Sequence, residues 1–141
     1  VSRELRRAEE NCMPKKEIIR TEAAAIPAGP YSQATTFGQF VFTAGQIALD
    51  TNGKLVGEGD VGKQTEQVLE NIKAILAAAD ATMDDVLKTT VFITKLEYFQ
   101  AMNEVYVHYF PDNRPSRSTV VAQLMNSDWC VEIEAVAARK Q

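Results

Sequence analysis

The sequence is short of the side chains on which most metal sites and acid–base catalysts depend. It contains one His, two Cys and one Trp in 141 residues. A four-cysteine or histidine-rich metal cage is therefore excluded, and any mechanism based on histidine has to use His108. His108 has no second His or Cys at ligand spacing, which favours a structural role. Cys12 and Cys130 are too few for the disulfide framework of a secreted protein.

Long apolar runs and an excess of positive charge are also missing. No run approaches the about 18 apolar residues that cross a bilayer, and the N-terminus lacks the apolar core of a signal peptide. The net charge of -4 argues against a basic face that follows a phosphate backbone. We therefore expect a cytoplasmic protein with neither a membrane nor a nucleic acid as partner. With 45% hydrophobic and 24% charged residues, the composition is that of one ordinary globular domain.

The common cofactor and nucleophile motifs are absent or unconvincing. The run from Gly57 to Gly62 matches the bare G-x-G-x-x-G spacing, but Glu58 and Asp60 within it would repel a pyrophosphate. We interpret it as a loop followed by a helix cap. The chain has no phosphate-binding P-loop and no G-x-S-x-G elbow, so neither a nucleotide cofactor nor serine catalysis is expected.

The first residues differ from the rest of the chain. Residues 1–14 form a densely charged N-terminal arm that we expect to lie outside the core, and residues 15–141 form a single domain. Codons for Arg-Arg-Ala-Glu-Glu can be purine-rich, as a bacterial ribosome-binding site is, so one hypothesis places the native start at Met13. The alternative is a short helical or frayed arm of the protein itself.

Hydrophobic periodicity predicts an alternation of strands and helices after this arm. Strands are predicted over 16–21, 32–36, 40–49, 86–94, 118–124 and 130–138, and helices over 60–79 and 96–110. Asp60 caps the first helix, Gly45 marks a bulge, and Asn52-Gly53 forms a turn. The last two strands are predicted to form a terminal hairpin.

This order predicts a two-layer α+β domain with both helices on one face of the sheet. In the strand over 130–138, apolar residues alternate onto both faces, so two helices cannot cover all of them. We expect the second face of the sheet to be buried in an oligomer interface.

Few residues remain as candidates for chemistry. Arg114 and Arg117 stand at the start of a strand, and Glu132 is expected on the neighbouring strand of the same hairpin. A guanidinium group matches carboxylate or phosphate oxygens with two parallel hydrogen bonds. Taken alone, each arginine is better interpreted as part of a surface salt bridge, and Glu132 as a solvated strand residue.

Several short motifs, in order, resemble one known family. They are Gly29-Pro30-Tyr31-Ser32-Gln33, Phe42-Thr43-Ala44-Gly45-Gln46, Gln64-Thr65, Asn71, Lys88-Thr89-Thr90-Val91-Phe92, Met102-Asn103-Glu104-Val105-Tyr106, Pro115-Ser116-Arg117-Ser118 and Val131-Glu132-Ile133-Glu134-Ala135. Over residues 15–139, this pattern resembles the RidA (YjgF) family of reactive-intermediate or imine deaminases.

The resemblance implies a fold, an assembly and an activity. The fold is a chorismate-mutase-like α+β fold with a mixed sheet, in a homotrimer whose sheets form a central barrel with three clefts between subunits. The activity is that of a 2-iminobutanoate/2-iminopropanoate deaminase, a hydrolase acting on a carbon–nitrogen bond. Its substrates are 2-aminoacrylate, 2-iminopropanoate and 2-iminobutanoate released by pyridoxal-phosphate enzymes, and its products are 2-oxo acids and ammonia. No cofactor or metal is implied.

The resemblance also assigns roles to individual residues. Arg117 would hold the substrate carboxylate, Glu132 would position or activate water, and the carbonyl of Thr119 could hold that water. Tyr31 would close the cleft, the alternative being a tyrosine that packs a turn. Asn103 would lie near the site, the alternative being a role on the helix surface. A carboxylate beside Arg117 is expected to stay ionised.

Two positions depart from the family pattern. Ala44 stands where many members have Ser, and Thr119 where many have Cys. If side chains act at these positions, substrate range or rate differs here; if backbone groups act, the changes matter little. Two other functions are compatible with the family: a ribonuclease or translation inhibitor, and a non-enzymatic small-ligand sensor or chaperone.

Overall fold

A six-stranded mixed sheet forms one layer of the structure, a computed structural model that describes residues 1–140. The strands are β1 (Lys16–Ile19), β2 (Ala34–Phe37), β3 (Phe40–Thr43), β4 (Val86–Ile93), β5 (Ser116–Val121) and β6 (Val131–Ala138). Their order in the sheet is β1-β2-β3-β6-β4-β5. The β4–β5 pair is parallel and every other pair is antiparallel.

Helices α2 (Val61–Ala78) and α3 (Phe99–Tyr109) form the second layer. The side chain of Asp60 accepts a hydrogen bond from the Lys63 N–H at 3.0 Å, which confirms the predicted cap. Helix α2 packs on β6 and α3, and a single 3-10 turn, Leu96–Tyr98, precedes α3. The helical prediction over 60–79 is therefore accurate to one residue at each end.

The core lies between these helices and one face of the sheet. The residues of β6 that alternate towards this face are all buried: Val131, Ile133, Ala135 and Ala137. The apolar face of α2 covers them with Val68, Leu69, Ile72, Ile75 and Leu76. The prediction of an α+β fold with a mixed sheet and two core helices is confirmed.

A third helix, α1 (Arg3–Cys12), precedes the sheet and has no buried residue. The N-terminal arm is thus helical and lies outside the core. The predicted domain over 15–141 ends at a residue, Gln141, that lies outside the described residues. Within residues 1–140, no helix is both long and apolar enough to cross a membrane.

The predicted terminal hairpin is wrong. Strands β5 and β6 are not neighbours, because β4 lies between them. Helix α3 connects β4 to β5, and a strand–helix–strand unit of this kind joins parallel neighbours. The chain then returns past β4 and places β6 on its other side. Closeness in sequence suggested a hairpin, but the crossover through α3 decides the pairing.

The strand predicted over 40–49 is shorter than expected. Strand β3 ends at Thr43, and an isolated bridge then pairs Gln46 with Ile133. From the Phe42–Val136 pair to this bridge, one side advances four residues (42 to 46) and the other three (136 to 133). The extra residue falls in the segment that contains Gly45, where a bulge was predicted. The other strands differ from prediction only in their ends.

The second face of the sheet carries exposed apolar side chains. Phe37, Phe40 and Phe42 are 53%, 48% and 44% exposed, and the pairing register places them on one face with Val136. Apolar side chains are therefore found on both faces of the sheet, as the alternation predicted.

Candidate functional site

Arg117, on β5, is held by one side of α3. Its Nη1 donates a hydrogen bond to Oδ1 of Asn103 at 2.7 Å. Its guanidinium carbon lies 4.8 Å from the ring centroid of Tyr106 and 5.8 Å from that of Phe99. Residues 99, 103 and 106 are spaced so that they share one helix face. Helix α3 thus supplies both an amide acceptor and two aromatic rings that fix the guanidinium group.

The Tyr106 side chain is in turn held by the sheet, through Thr89 on β4. Its hydroxyl is 2.7 Å from the hydroxyl of Thr89, and Thr89 is paired with Arg117 in the β4–β5 register. Burial raises the pKa of Tyr106, so the phenol stays neutral and remains a hydrogen-bonding group. Arg117 is therefore positioned by the sheet and the helix together.

Arg117 borders a cavity of about 360 Å³, lined by Asn103, Tyr106, Val107, Arg114, Pro115 and Arg117. The lining has two guanidinium groups and no carboxylate. Such a cavity suits an anionic ligand.

Glu132 borders a different cavity, of about 340 Å³, lined by Ala28, Tyr31, Ala44, Gly45, Ile47, Met125, Trp129 and Glu132. Burial, and then the nearby charge of Glu134, raise the pKa of the Glu132 carboxyl. A carboxyl in this state holds a proton more readily than a solvated one, which suits a group that exchanges protons with a substrate.

Gly45 allows Glu132 to occupy this cavity. A Cβ atom built on Gly45 would lie 2.6 Å from Oε2 of Glu132, closer than real Cβ atoms approach. The glycine marks both the irregular strand segment and the close approach of a carboxylate.

One chain does not bring Arg117 and Glu132 together. On β4, Thr89 pairs with Arg117 and Phe92 pairs with Glu132. Thr89 and Phe92 are three residues apart, so their side chains and those of their partners lie on opposite faces of the sheet. In the single chain, burial and the charge of Glu134 raise the pKa of Glu132, and Arg117 is not among the causes. The expectation that a carboxylate beside Arg117 stays ionised therefore stays a prediction for a site that brings the two residues together.

The other predicted residues divide between the two cavities. Asn103 lies with Arg117, and Tyr31 lies with Glu132. Tyr31 is 47% exposed, and its hydroxyl accepts a hydrogen bond from the Ala28 N–H at 3.1 Å. Thr119 follows Arg117 on the same face of β5 but lines neither cavity, and within residues 1–140 its buried hydroxyl has no hydrogen-bond partner. His108 is exposed in the last turn of α3.

Three buried amide side chains, whose role sequence analysis missed, hold the walls of the Glu132 cavity. Gln64 donates to the Asp128 carbonyl at 3.0 Å and accepts from the Cys130 N–H at 2.8 Å, on either side of Trp129. Asn71 donates to the carbonyls of Ile47 and Leu49. Gln33 donates to the carbonyls of Thr21 and Ala25, in the segment that leads to Ala28. For Gln64 and Asn71, the available signal was a polar residue at a core position of α2, since buried amides need partners.

Known proteins resemble the part of the chain that follows the N-terminal arm. The family model described as Endoribonuclease L-PSP matches residues 21–139. A RutC family protein of Pyrococcus horikoshii is 47% identical over 125 residues, which cover 89% of this chain and 99% of that protein. Reactive Intermediate Deaminase A, chloroplastic, of Arabidopsis thaliana is 42% identical over 87% of this chain and 66% of its own length. The crystal structure of E. coli TdcF with bound serine superposes with a TM-score of 0.81 at 41% identity, covering 88% of this chain and 99% of TdcF.

Proposed function

The chain belongs to the RidA (YjgF) family, and on that premise we propose that it hydrolyses short 2-imino acids to 2-oxo acids and ammonia. The substrates are 2-aminoacrylate, after tautomerisation to 2-iminopropanoate, and 2-iminobutanoate. The observation that carries the proposal is the fixed guanidinium group of Arg117, in a cavity without a carboxylate. TdcF has been crystallised with serine, an amino acid with the carboxylate that Arg117 would bind here.

The proposal includes a homotrimer whose sheets form a central barrel. Arg117 and Glu132 lie on opposite sheet faces of one chain, so a site that contains both needs two copies. The exposed phenylalanines of the second sheet face supply an apolar surface for that contact. Each cleft would then take the Arg117 cavity from one subunit and the Glu132 cavity from its neighbour.

The reaction in such a cleft needs few groups. Arg117 binds the substrate carboxylate and places the imine carbon near Glu132. Glu132 removes a proton from water while the water oxygen forms a bond to the imine carbon, and the electron pair of the C=N bond moves to nitrogen. Protonated Glu132 returns this proton to nitrogen, which gives a carbinolamine. The carbinolamine hydroxyl then passes its proton through Glu132 to nitrogen as the C–N bond breaks, so that ammonia leaves and the carbon becomes the 2-oxo group. One imine and one water thus give one 2-oxo acid and one ammonia.

Tyr31 and Thr119 have secondary roles in this proposal. Tyr31 covers the mouth of the Glu132 cavity, and the backbone carbonyl of Thr119 holds the attacking water. Since the Thr119 hydroxyl is buried in the subunit and Ala44 offers no polar side chain, backbone groups act at both positions.

The test is a competition between hydrolysis and chemical capture. A threonine dehydratase supplies the 2-imino acid, semicarbazide captures it, and an active deaminase lowers the rate of semicarbazone formation. We expect Arg117→Ala to lose about 2–5 kcal/mol of transition-state stabilisation, the scale for removing one partner of a buried charge pair. Arg20→Ala, which removes an exposed arginine, is the matched control. Full activity of Arg117→Ala would defeat the assignment.

RNA cleavage is the second candidate, because the matching family model is described as an endoribonuclease. The same preparations incubated with single-stranded RNA distinguish the two functions. Cleavage that disappears in both Arg117→Ala and Glu132→Gln, with no imine turnover by the unaltered protein, would favour it. Binding of a 2-oxo acid without turnover of either substrate would favour a sensor.

A further inference from the structure

Arg114 borders the same cavity as Arg117, although the family resemblance assigns it no role. Its Nε donates a hydrogen bond to the carbonyl of Phe110, the residue that ends α3, at 3.0 Å. This bond fixes the plane of the guanidinium group and uses one of its five N–H donors. Pro115 follows directly and restricts the backbone at the start of β5. Arg114 is therefore anchored at one end and has donors to spare.

The two guanidinium groups lack negative partners in the chain. Within residues 1–140, neither Arg114 nor Arg117 forms an ion pair; the pair that does form is Arg139 with Glu17. No Asp or Glu lines their cavity, although the chain as a whole has a net charge of -4. Two like charges that border one cavity repel each other, and an anion bound between them offsets that repulsion by attracting both.

A single carboxylate does not occupy the hydrogen-bond donors of both Arg114 and Arg117. A carboxylate has two oxygens, and a single guanidinium fork can engage both of them. If Arg117 takes the carboxylate next to the imine carbon, Arg114 is left with donors directed at the rest of the ligand. The cavity of about 360 Å³ has room for a short chain with an acidic group at each end.

We propose that Arg114 is a specificity-determining residue and that this site prefers dicarboxylic 2-imino acids. Arg117 binds the carboxylate beside the reacting carbon, and Arg114 binds the carboxylate at the end of the side chain. This inference rests on the proposed function, since it names the substrate class of the same site.

The kinetic test compares two four-carbon substrates, 2-iminobutanoate and 2-iminobutanedioate, each generated in place by an amino-acid oxidase. Arg114→Gln removes the charge and keeps a side-chain N–H that can still reach Phe110. We expect the ratio of kcat/KM for the dicarboxylate to that for the monocarboxylate to fall about tenfold in this variant. Arg114→Lys should keep most of the ratio, and Arg20→Ala should leave it unchanged. An unchanged ratio in Arg114→Gln would overturn the proposal and leave Arg114 as a helix cap only.

A binding measurement separates this inference from the proposed function. Calorimetry with butanedioate and butanoate at equal ionic strength uses ligands that do not react. The unaltered protein should bind butanedioate at least tenfold more tightly, and Arg114→Gln should remove the difference. If the protein shows this preference but hydrolyses no imine, the proposed function fails and the dianion site stands. Equal binding of the two acids by the unaltered protein would overturn the dianion site whatever the turnover.

Discussion

Gly45 and Glu132 lie so close together that a Cβ atom on the glycine would stand 2.6 Å from Oε2 of the carboxylate, which would have to move. The glycine is on the segment after β3 and the glutamate is in β6, so the contact joins residues that are distant in sequence. The position of the Glu132 carboxylate is thus set by the absence of a side chain opposite it.

Gly45→Ala is expected to lower activity more than stability. The carboxylate is the end of a flexible side chain and can turn away from a methyl group, but a displacement of about 1 Å can cost about a hundredfold in rate. We expect kcat/KM for 2-iminobutanoate to fall at least tenfold in the semicarbazide competition. Gly62→Ala is the control: its Cβ would meet Asp60 Oδ1 at 3.4 Å, an ordinary contact, within α2. That variant should gain about 0.5–1 kcal/mol in stability and keep its activity.

Mixing two inactive variants is expected to restore activity if the site lies between subunits. Arg117→Ala and Glu132→Gln each damage one cavity and leave the other intact. In a mixed trimer, a cleft is intact when its Arg117 side comes from the second variant and its Glu132 side from the first, so random assembly from equal amounts gives about a quarter of full activity (half of a half). Joint refolding followed by the imine assay measures this. No recovery, with mixed oligomers shown by sedimentation of size-tagged chains, would place both residues' functions within one chain.

The pH dependence of the reaction should respond to Glu134. Its negative charge disfavours the ionised form of Glu132 and so raises the pKa of that carboxyl, after the larger effect of burial. Glu134→Gln removes this repulsion and lowers the pKa of Glu132. Because the ionised carboxylate is the proposed base, the acid limb of the kcat/KM profile should move to lower pH. Glu104→Gln, an equal change of charge at an exposed position on α3, should leave that limb in place.

Gln64 is expected to matter for stability. It is fully buried and bridges the start of α2 to the segment around Trp129, through the Asp128 carbonyl and the Cys130 N–H. Gln64→Leu leaves both backbone groups without a partner, at about 1–3 kcal/mol each, so urea unfolding should show a loss of about 3 kcal/mol. Gln100→Ala, at an exposed position of α3, should change stability by less than about 0.5 kcal/mol. A loss below 1 kcal/mol in Gln64→Leu would mean that other groups or water replace these bonds.

Local sequence patterns predicted the individual helices and strands of this fold better than they predicted which strands pair. The Asp60 cap, the helical period of α2 and the two-residue alternation of β6 are all local, and the structure agrees with each of them. Pairing depends on the whole chain, and the α3 crossover that separates β5 from β6 is not a local signal. The same limit applies to the site: Asn103 and Arg117 were both candidates, but their hydrogen bond and the opposite placement of Glu132 follow from the topology. The family motif includes Arg117 but not Arg114, so the resemblance assigned Arg114 no role, whereas the structure places it at the same cavity.

The position of β6 in the sheet has a consequence for the order in which the parts of the sheet are synthesised. Strand β6 comes last along the chain, yet it is the strand that joins β1-β2-β3 to β4-β5. During synthesis, β1-β2-β3 and β4-β5 are therefore both made before the strand that joins them. The Arg117 side comes from one continuous stretch, β4-α3-β5, whereas the Glu132 side is complete only once β6 has been synthesised. Loss of the final strand removes one wall of the site and divides the sheet in the same event.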